Sequence, residues 1–320
     1  MKYNSEIVKN AYRELEIDLI SDLNRMAYNY LTELGYTDVD QNRALYQFFN
    51  VQKRKIARKP RNIHKSKEFI CPKDYKEAFN EFEMRAKNGD DLNVFMSEKL
   101  KEANYNDGLL NDWNIYHFHL TRQFRDDGWA KRSKYLIFAY VTDTDLYMLQ
   151  VYKHKDNHVF AKQELVEIIH KNWPEFIEKN HFKGKPCVDI DEKGYNLLRK
   201  ANISTFVTLN EDDCFGSIGG GYMSDGSSTE AMWEENKWKR LMKIVEKTII
   251  ANMELLIDLI KKEAENVTNC FRIQLLWIDN EQEFTLYEHN NEVVLQINLE
   301  KNQFRICDWL YVLKEKIHLR

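Results

Sequence analysis

Residues 115–155 read IYHFHLTRQFRDDGWAKRSKYLIFAYVTDTDLYMLQVYKHK, and the fold class turns on this stretch. NIYHFHLT (114–121), SKYLIFAYVT (133–142) and DLYMLQVY (145–152) are dense in Tyr, Phe, Ile, Val and Leu. Short runs of that composition, bounded by polar turns, predict strands. The tight Thr142-Asp143-Thr144-Asp145 turn makes a hairpin of the second and third runs, and the polar loop RQFRDDGWAKR joins the first to it. YLIFAYV is almost continuously apolar, which suits a central strand covered on both faces. Strand side chains alternate, so His117 and His119 project together while Tyr116, Phe118 and Leu120 take the other side.

Working outward, residues 3–32 carry Ile7, Ala11, Leu15, Leu19, Leu23, Met26, Ala27 and Leu31, which fall at three- and four-residue steps and predict one or two amphipathic helices. Residues 42–56 continue in that style. The run QKRKIARKPRNIHKSK then gathers Lys53, Arg54, Lys55, Arg58, Lys59, Arg61, Lys65 and Lys67 with no acid among them, and Pro60 breaks the helix within it. Residues 72–104 are again helical and charged, with a turn at Asn88-Gly89-Asp90-Asp91. Beyond the hairpin come a helix, AKQELVEIIHKNW, ending near Pro174, two weaker strands around PCVDI and STFVTLN, and the glycine-rich CFGSIGGGYMSDGSS. Ser227-Ser228-Thr229-Glu230 is a capping box opening a helix that runs to about 265. FRIQLLWI, EFTLYEH, EVVLQINL and QFRICDW close the chain as a β-meander. The expected fold is α+β in three parts. These are a helical N-terminal region (1–105) holding the basic segment 53–67, a core on an antiparallel sheet (106–182), and a C-terminal region of glycine-rich loop, long helix and meander (183–320).

Composition narrows the classes. Glycine (11) and proline (4) are too scarce for a collagen-like or linker-dominated chain. With 47 Lys+Arg against 51 Asp+Glu the formal charge is −4, so any nucleic-acid contact must come from a local patch. Five widely spaced cysteines without a CxxC pair argue against a disulfide framework or zinc knuckle. Charges interrupt the apolar core a signal peptide needs, and no stretch approaches 18 consecutive apolar residues. The expectation is a cytoplasmic protein without membrane contact.

The segment that can carry chemistry is the first strand with its cationic surroundings: His117 and His119, with Arg122, Arg125, Arg132, Lys153, His154 and Lys155 nearby in sequence. RNA cleavage without a metal needs a group to withdraw the 2′-hydroxyl proton, one to protonate the leaving 5′-oxygen, and a cation on the phosphoryl oxygens. Histidine suits proton transfer near neutral pH. Three readings of the pair stay open: ordinary strand imidazoles, catalysis, and metal binding. For the last, zinc needs a third and usually a fourth ligand. His154, His158, His170 and His181 have no diagnostic spacing, and the eight βα units of an amidohydrolase barrel are not visible. No metal or cofactor is expected. The basic run is either a solvated helix end or a nucleic-acid contact made by Lys53, Arg54, Lys55, Arg58, Lys59 and Arg61 together with Arg122. The glycine-rich stretch either turns the chain or offers backbone N–H groups to a phosphate, and it fits neither GxxxxGK[ST] nor GxGxxG. The apolar stripe within 229–265 is core packing or the seam of a homodimer.

Residues 115–155 resemble the core of the RelE/ParE/HigB-like toxins, part of the barnase/colicin/RelE superfamily. A short strand with a basic residue, an arginine-bearing loop, an apolar strand, an acidic turn, a further strand and a basic cluster correspond to His117–Leu120, Arg132, Tyr135–Val141, Asp143–Asp145, Leu146–Tyr152 and Lys153–Lys155. The resemblance implies an endoribonuclease toxin, often ribosome-dependent, or a gyrase poison of the ParE branch, with RNA and a neutralising antitoxin or immunity protein as partners. It also implies a helical hairpin within 72–104. The favoured expectation is a toxin or phage-defence effector that cleaves RNA by 2′-hydroxyl attack without a metal. His117 and His119 then exchange protons with the scissile linkage, Arg132 and Lys153 hold the phosphate, and His154 is a reserve acid. The alternatives are a non-catalytic interaction or sensing module of a defence or toxin–antitoxin system and, third, a metal hydrolase built on HxH.

Overall fold

The run ELEI (Glu14–Ile17) alternates, with Leu15 and Ile17 buried and both glutamates exposed, and it forms strand β1. The computed structural model describes residues 12–184, 190–209, 213–263 and 266–307. The helix expected across 3–32 therefore starts only at α1 (Leu19–Glu33), and residues 1–11 lie outside the described ones. Helical spacing fails at β1 because the run pairs in parallel with residues 270–273, a partner that local periodicity cannot reveal. Helix α2 (Ala44–Arg54) ends well before Pro60, and the text beyond it contains a strand, β2 (Asn62–Lys65), where a connector was expected. Helix α3 (Lys76–Asn88) is closed by Gly89 at φ 80°, where a side chain is excluded: a Cβ would lie 2.7 Å from the Pro60 nitrogen. The remainder of 72–104 holds the 3-10 turns Asn93–Phe95 and Glu98–Lys101 in place of the second helix of a hairpin.

Asp107 caps α4 (Gly108–Trp113), its carboxylate accepting from the N–H groups of Leu109 and Leu110. Strands β3 (Tyr116–His119), β4 (Tyr135–Val141) and β5 (Asp145–Lys153) follow as expected, and α5 (Glu164–Asn172) stops ahead of Pro174. Then come β6 (His181–Lys183), α6 (Glu192–Lys200), β7 (Val207–Thr208) and β8 (Asp213–Phe215). Of the two weaker strands expected, PCVDI lies almost wholly outside the described residues and STFVTLN supplies only β7. The sequence reading misses α6, whose run EKGYNLLRK is interrupted by Gly194. The helix expected to reach about 265 is two, α7 (Thr229–Ala251) and α8 (Met253–Glu263), parted at Asn252. Its cap sits one residue later than the expected box: Ser228 Oγ accepts from Ala231 N–H at 3.4 Å, and Glu230 pairs with Lys53. Strands β9 (Cys270–Ile278), β10 (Glu283–Glu288), β11 (Val293–Asn298) and β12 (Gln303–Cys307) form the expected meander.

The fold is α+β, in two compact units: residues 1–30, 41–45 and 235–320, and residues 31–40 and 46–234. These do not follow a division at 105 and 182, because strand pairing and packing join distant segments. In the first unit β1 extends the meander into a sheet of order β1-β9-β10-β11-β12. There Glu246 Oε1 accepts from Leu19 N–H and Asp22 Oδ2 from Leu275 N–H, each at 2.8 Å. In the second unit the central sheet has the order β2-β5-β4-β3, and it is mixed, since β2 runs parallel to β5. One face packs Phe118, Ile137 and Met148 against Phe79 and Phe82 of α3. The other packs Leu136, Phe138 and Leu149 against Trp113 of α4 and Leu165, Ile168 and Ile169 of α5. Both faces are covered, which accounts for the continuous apolar text of β4.

Candidate functional site

Strand register decides where the histidines go. His117 lies opposite Phe138 and His119 opposite Leu136, so both project on the α5-covered side. Their surroundings differ. The His117 ring meets Phe160 edge-on at 5.0 Å between centroids, and its Nδ1, 3.8 Å from Asp107 Oδ2, is buried without a hydrogen-bond partner. Burial holds its pKa below the ordinary imidazole value; the Asp107 carboxylate opposes that shift and His154 adds to it. His117 is thus largely covered by Phe160 and Asp107, with 12 % of its side chain exposed.

His119 is also buried, at 6 % exposure, yet it lines a cavity of about 500 Å³. Its ring stacks on that of His154, 5.8 Å away and 7° from parallel. Its Nδ1 accepts from Ser133 N–H at 3.4 Å, so the neutral ring carries its hydrogen on Nε2. Burial, with the neighbouring charges of His117, His154 and Arg132, pushes its pKa down to about 4. At neutral pH His119 is an uncharged donor. His154 follows the last residue of β5, and its N–H donates to Lys134 O at 2.8 Å.

The same cavity is lined by Lys99, Arg125, Lys131 and Arg132, with Glu98 and Glu102 as its acids. The loop between β3 and β4 carries three of these cations. It folds back on itself where Arg125 N–H donates to Trp129 O and Gly128 adopts φ 82°. Ala130 N–H donates to Val94 O and fastens the loop to segment 91–99. Arg125 is held by Glu98 and Asp127. Arg132 is exposed and lies close enough to His119 to depress its pKa. Lys153 does not join this group: it lies opposite Tyr135, so it falls on the other face of the sheet from His119.

The basic run does not form one patch. Lys53 is buried, its Nζ donating to Gly219 O (2.7 Å) and Ser228 Oγ and pairing with Glu230 at 2.9 Å. Arg54 is 1 % exposed and donates to the carbonyls of Asn50, Lys99, Glu102 and Ala103. Arg61, also buried, donates to those of Ala57, Lys59 and Thr142. Burial lowers the pKa of all three. Arg58 faces Asp91, Lys59 faces Asp143, and Arg122 is held by Glu77 and Glu81 of α3. Lys55 remains on the surface.

Sequence reasoning misses a polar cluster beneath the site. Asp112 and Arg199 form a buried ion pair at 2.8 Å, Ser217 Oγ donates to Asp112, and the Arg199 guanidinium lies 4.0 Å over the Trp113 ring. Arg199 also donates to Phe160 O, fixing the residue whose ring packs on both His117 and His154. The glycine-rich stretch serves this cluster. Gly219 N–H donates to Asp112 O and Gly221 N–H to Asn111 O, so these donors are spent on α4 and do not form a phosphate cradle. A Cβ on Gly219 would press on the carbonyl oxygens of Leu110 and Asn111. The cap at Asp107 has a local signal, Asp-Gly-Leu-Leu, that the sequence reading passed over; the Asp112–Arg199 pair, 87 residues apart, has none.

Among the described residues, no three His, Cys, Asp or Glu side chains are placed to hold a metal ion, and no helix is long and apolar enough to cross a membrane. No family model, no curated protein and no solved structure matches this chain.

Proposed function

We propose that this protein is a metal-independent endoribonuclease acting at the His119 cavity, in the role of a cytoplasmic toxin or phage-defence effector. The observation that carries the reading is His119, stacked on His154 and lining a cavity together with Arg132 and Lys131. In this reading Arg132 and Lys131 hold the phosphoryl group. The neutral His119 donates from Nε2 to a non-bridging oxygen, which stabilises charge as it develops. The 2′-oxygen attacks phosphorus and its proton passes to His154. The bond to the 5′-oxygen breaks, and that oxygen takes a proton from water, leaving a 2′,3′-cyclic phosphate and a 5′-hydroxyl. This reading gives no step to His117, which is largely covered by Phe160, or to Lys153, which faces the opposite side of the sheet. The resemblance of residues 115–155 to RelE-like toxins agrees with this chemistry and adds a neutralising protein as the natural partner.

Purified protein incubated with RNA should produce cyclic-phosphate ends, and His119→Gln and Arg132→Ala should each suppress them. RNA left intact, together with normal growth on induced expression, would remove the nuclease reading and favour a non-catalytic binding module.

A further inference from the structure

Most cations of the basic run are already engaged, by carbonyls or by carboxylates. Lys55, just past the end of α2, is not: it is exposed, and among the described residues it meets no carboxylate. It lines a second cavity, of about 430 Å³, together with Gln52, Arg58 and Asp91. Asp91 does not make that cavity acidic, because Arg58 lies 2.8 Å from its carboxylate and the Asn93 N–H and Nδ2 both donate to it. The Arg58–Asp91 contact is exposed on the Arg58 side, the kind of ion pair that exchanges partners at little cost.

One segment, residues 91–99, contributes to the wall of each cavity. Asp91 and Asn93 border the Lys55 cavity, while Met96, Ser97 and Lys99 border the His119 cavity. Arg54, immediately before Lys55, donates to Lys99 O, so the end of α2 is pinned to this segment. A strand that followed this segment out of the His119 cavity would come to Lys55 and Arg58. The reacting group lies deep, since His119 is 6 % exposed. A-form duplex RNA presents a wide, shallow minor groove and cannot lower one sugar-phosphate unit into such a hollow, whereas an unpaired nucleotide can turn in.

From this we infer that the substrate is single-stranded RNA, with one nucleotide turned into the His119 cavity and a neighbouring phosphate held by Lys55 and Arg58. The inference rests on the phosphodiester reading above. It is tested by fluorescence anisotropy on the full chain, with a short 2′-O-methylated RNA that cannot be cleaved, the same sequence as a blunt duplex, and the 2′-O-methylated dinucleotide as competitor. The Lys55→Glu/Arg58→Gln variant, whose changes are on the surface, should weaken single-strand binding by on the order of tenfold or more and lower the salt dependence by one to two counter-ions. Dinucleotide binding should be unchanged in that variant, and the duplex should bind wild-type protein at least about tenfold more weakly than the single strand. If the variant binds the single strand as wild type does while Arg132→Ala does not, the second subsite is wrong and the phosphodiester reading stands. Equal affinity for duplex and single strand overturns the substrate class. Failure of wild-type protein to bind any of the three probes at low salt overturns both readings.

Discussion

Two basic segments of this chain meet different fates. Residues 53–61 carry the denser charge, yet Lys53, Arg54 and Arg61 are buried on backbone carbonyls. Residues 125–132 carry fewer cations, and Arg125, Lys131 and Arg132 line an open cavity. The difference lies in what surrounds each segment. Arg54 ends a helix, and its guanidinium is drawn onto the carbonyls of Lys99, within the 3-10 turn Glu98–Lys101, and of Glu102 and Ala103 just beyond it. The loop at 125–132 closes on its own backbone through Gly128, so its side chains are left free of that task. Charge density in a sequence therefore says little about which cations a ligand can reach.

The sharpest way to break this comparison is Arg54→Met. It removes the guanidinium's hydrogen bonds to the carbonyls of Asn50, Lys99, Glu102 and Ala103 and should cost roughly 4 kcal/mol in urea unfolding; an unchanged midpoint would mean the guanidinium is dispensable to the fold. Next, Arg199→Leu abandons the buried Asp112 carboxylate and should cost about 3 kcal/mol. It should also reduce RNA cleavage in whatever protein remains folded, because Phe160 loses its anchor.

The third effect is one of pH. The pKa of His119 is about 4 in the folded chain against 6.5 for a free imidazole, so between these values the unfolded chain binds more protons. The stabilising contribution is complete above about pH 6.5 and is lost as the pH falls toward 4, amounting to at most about 3 kcal/mol. Thermal scans across this window should show a flatter profile for His119→Gln than for wild type; parallel profiles would show that the ring does not titrate with folding. Smallest in stability is Arg132→Ala, within about 0.5 kcal/mol. Its effect belongs in binding, where loss of one phosphate contact should weaken RNA affinity by on the order of tenfold.

The hairpin, the meander and α5 were legible because each carries its own periodicity and turn residues. Strands β1 and β2 were not: each is four residues long and gains its hydrogen bonds from a parallel partner far along the chain, Cys270–Ile273 and Asp145–Met148 respectively. Within the site, alternation along β3 placed His117 and His119 on one side, and the basic residue types pointed to Arg132 and His154. Alternation could not foretell that Phe160 would pack on one ring while the loop left the other beside a cavity. That outcome depends on the turn before α5 and on Arg199, neither of which announces itself locally.

The parallel strand β2 also bears on whether the β3–β5 sheet can travel as a portable module. A fragment cut at 106–182 would lack the strand beside β5 and the helix over Phe118, Ile137 and Met148. The Tyr116 hydroxyl, which donates to Lys53 O at 2.9 Å, would lose its acceptor. Such an excised piece would expose an apolar face and an open edge, a recipe for aggregation. Grafting the histidine strand into another scaffold therefore requires carrying along residues 46–105 as well.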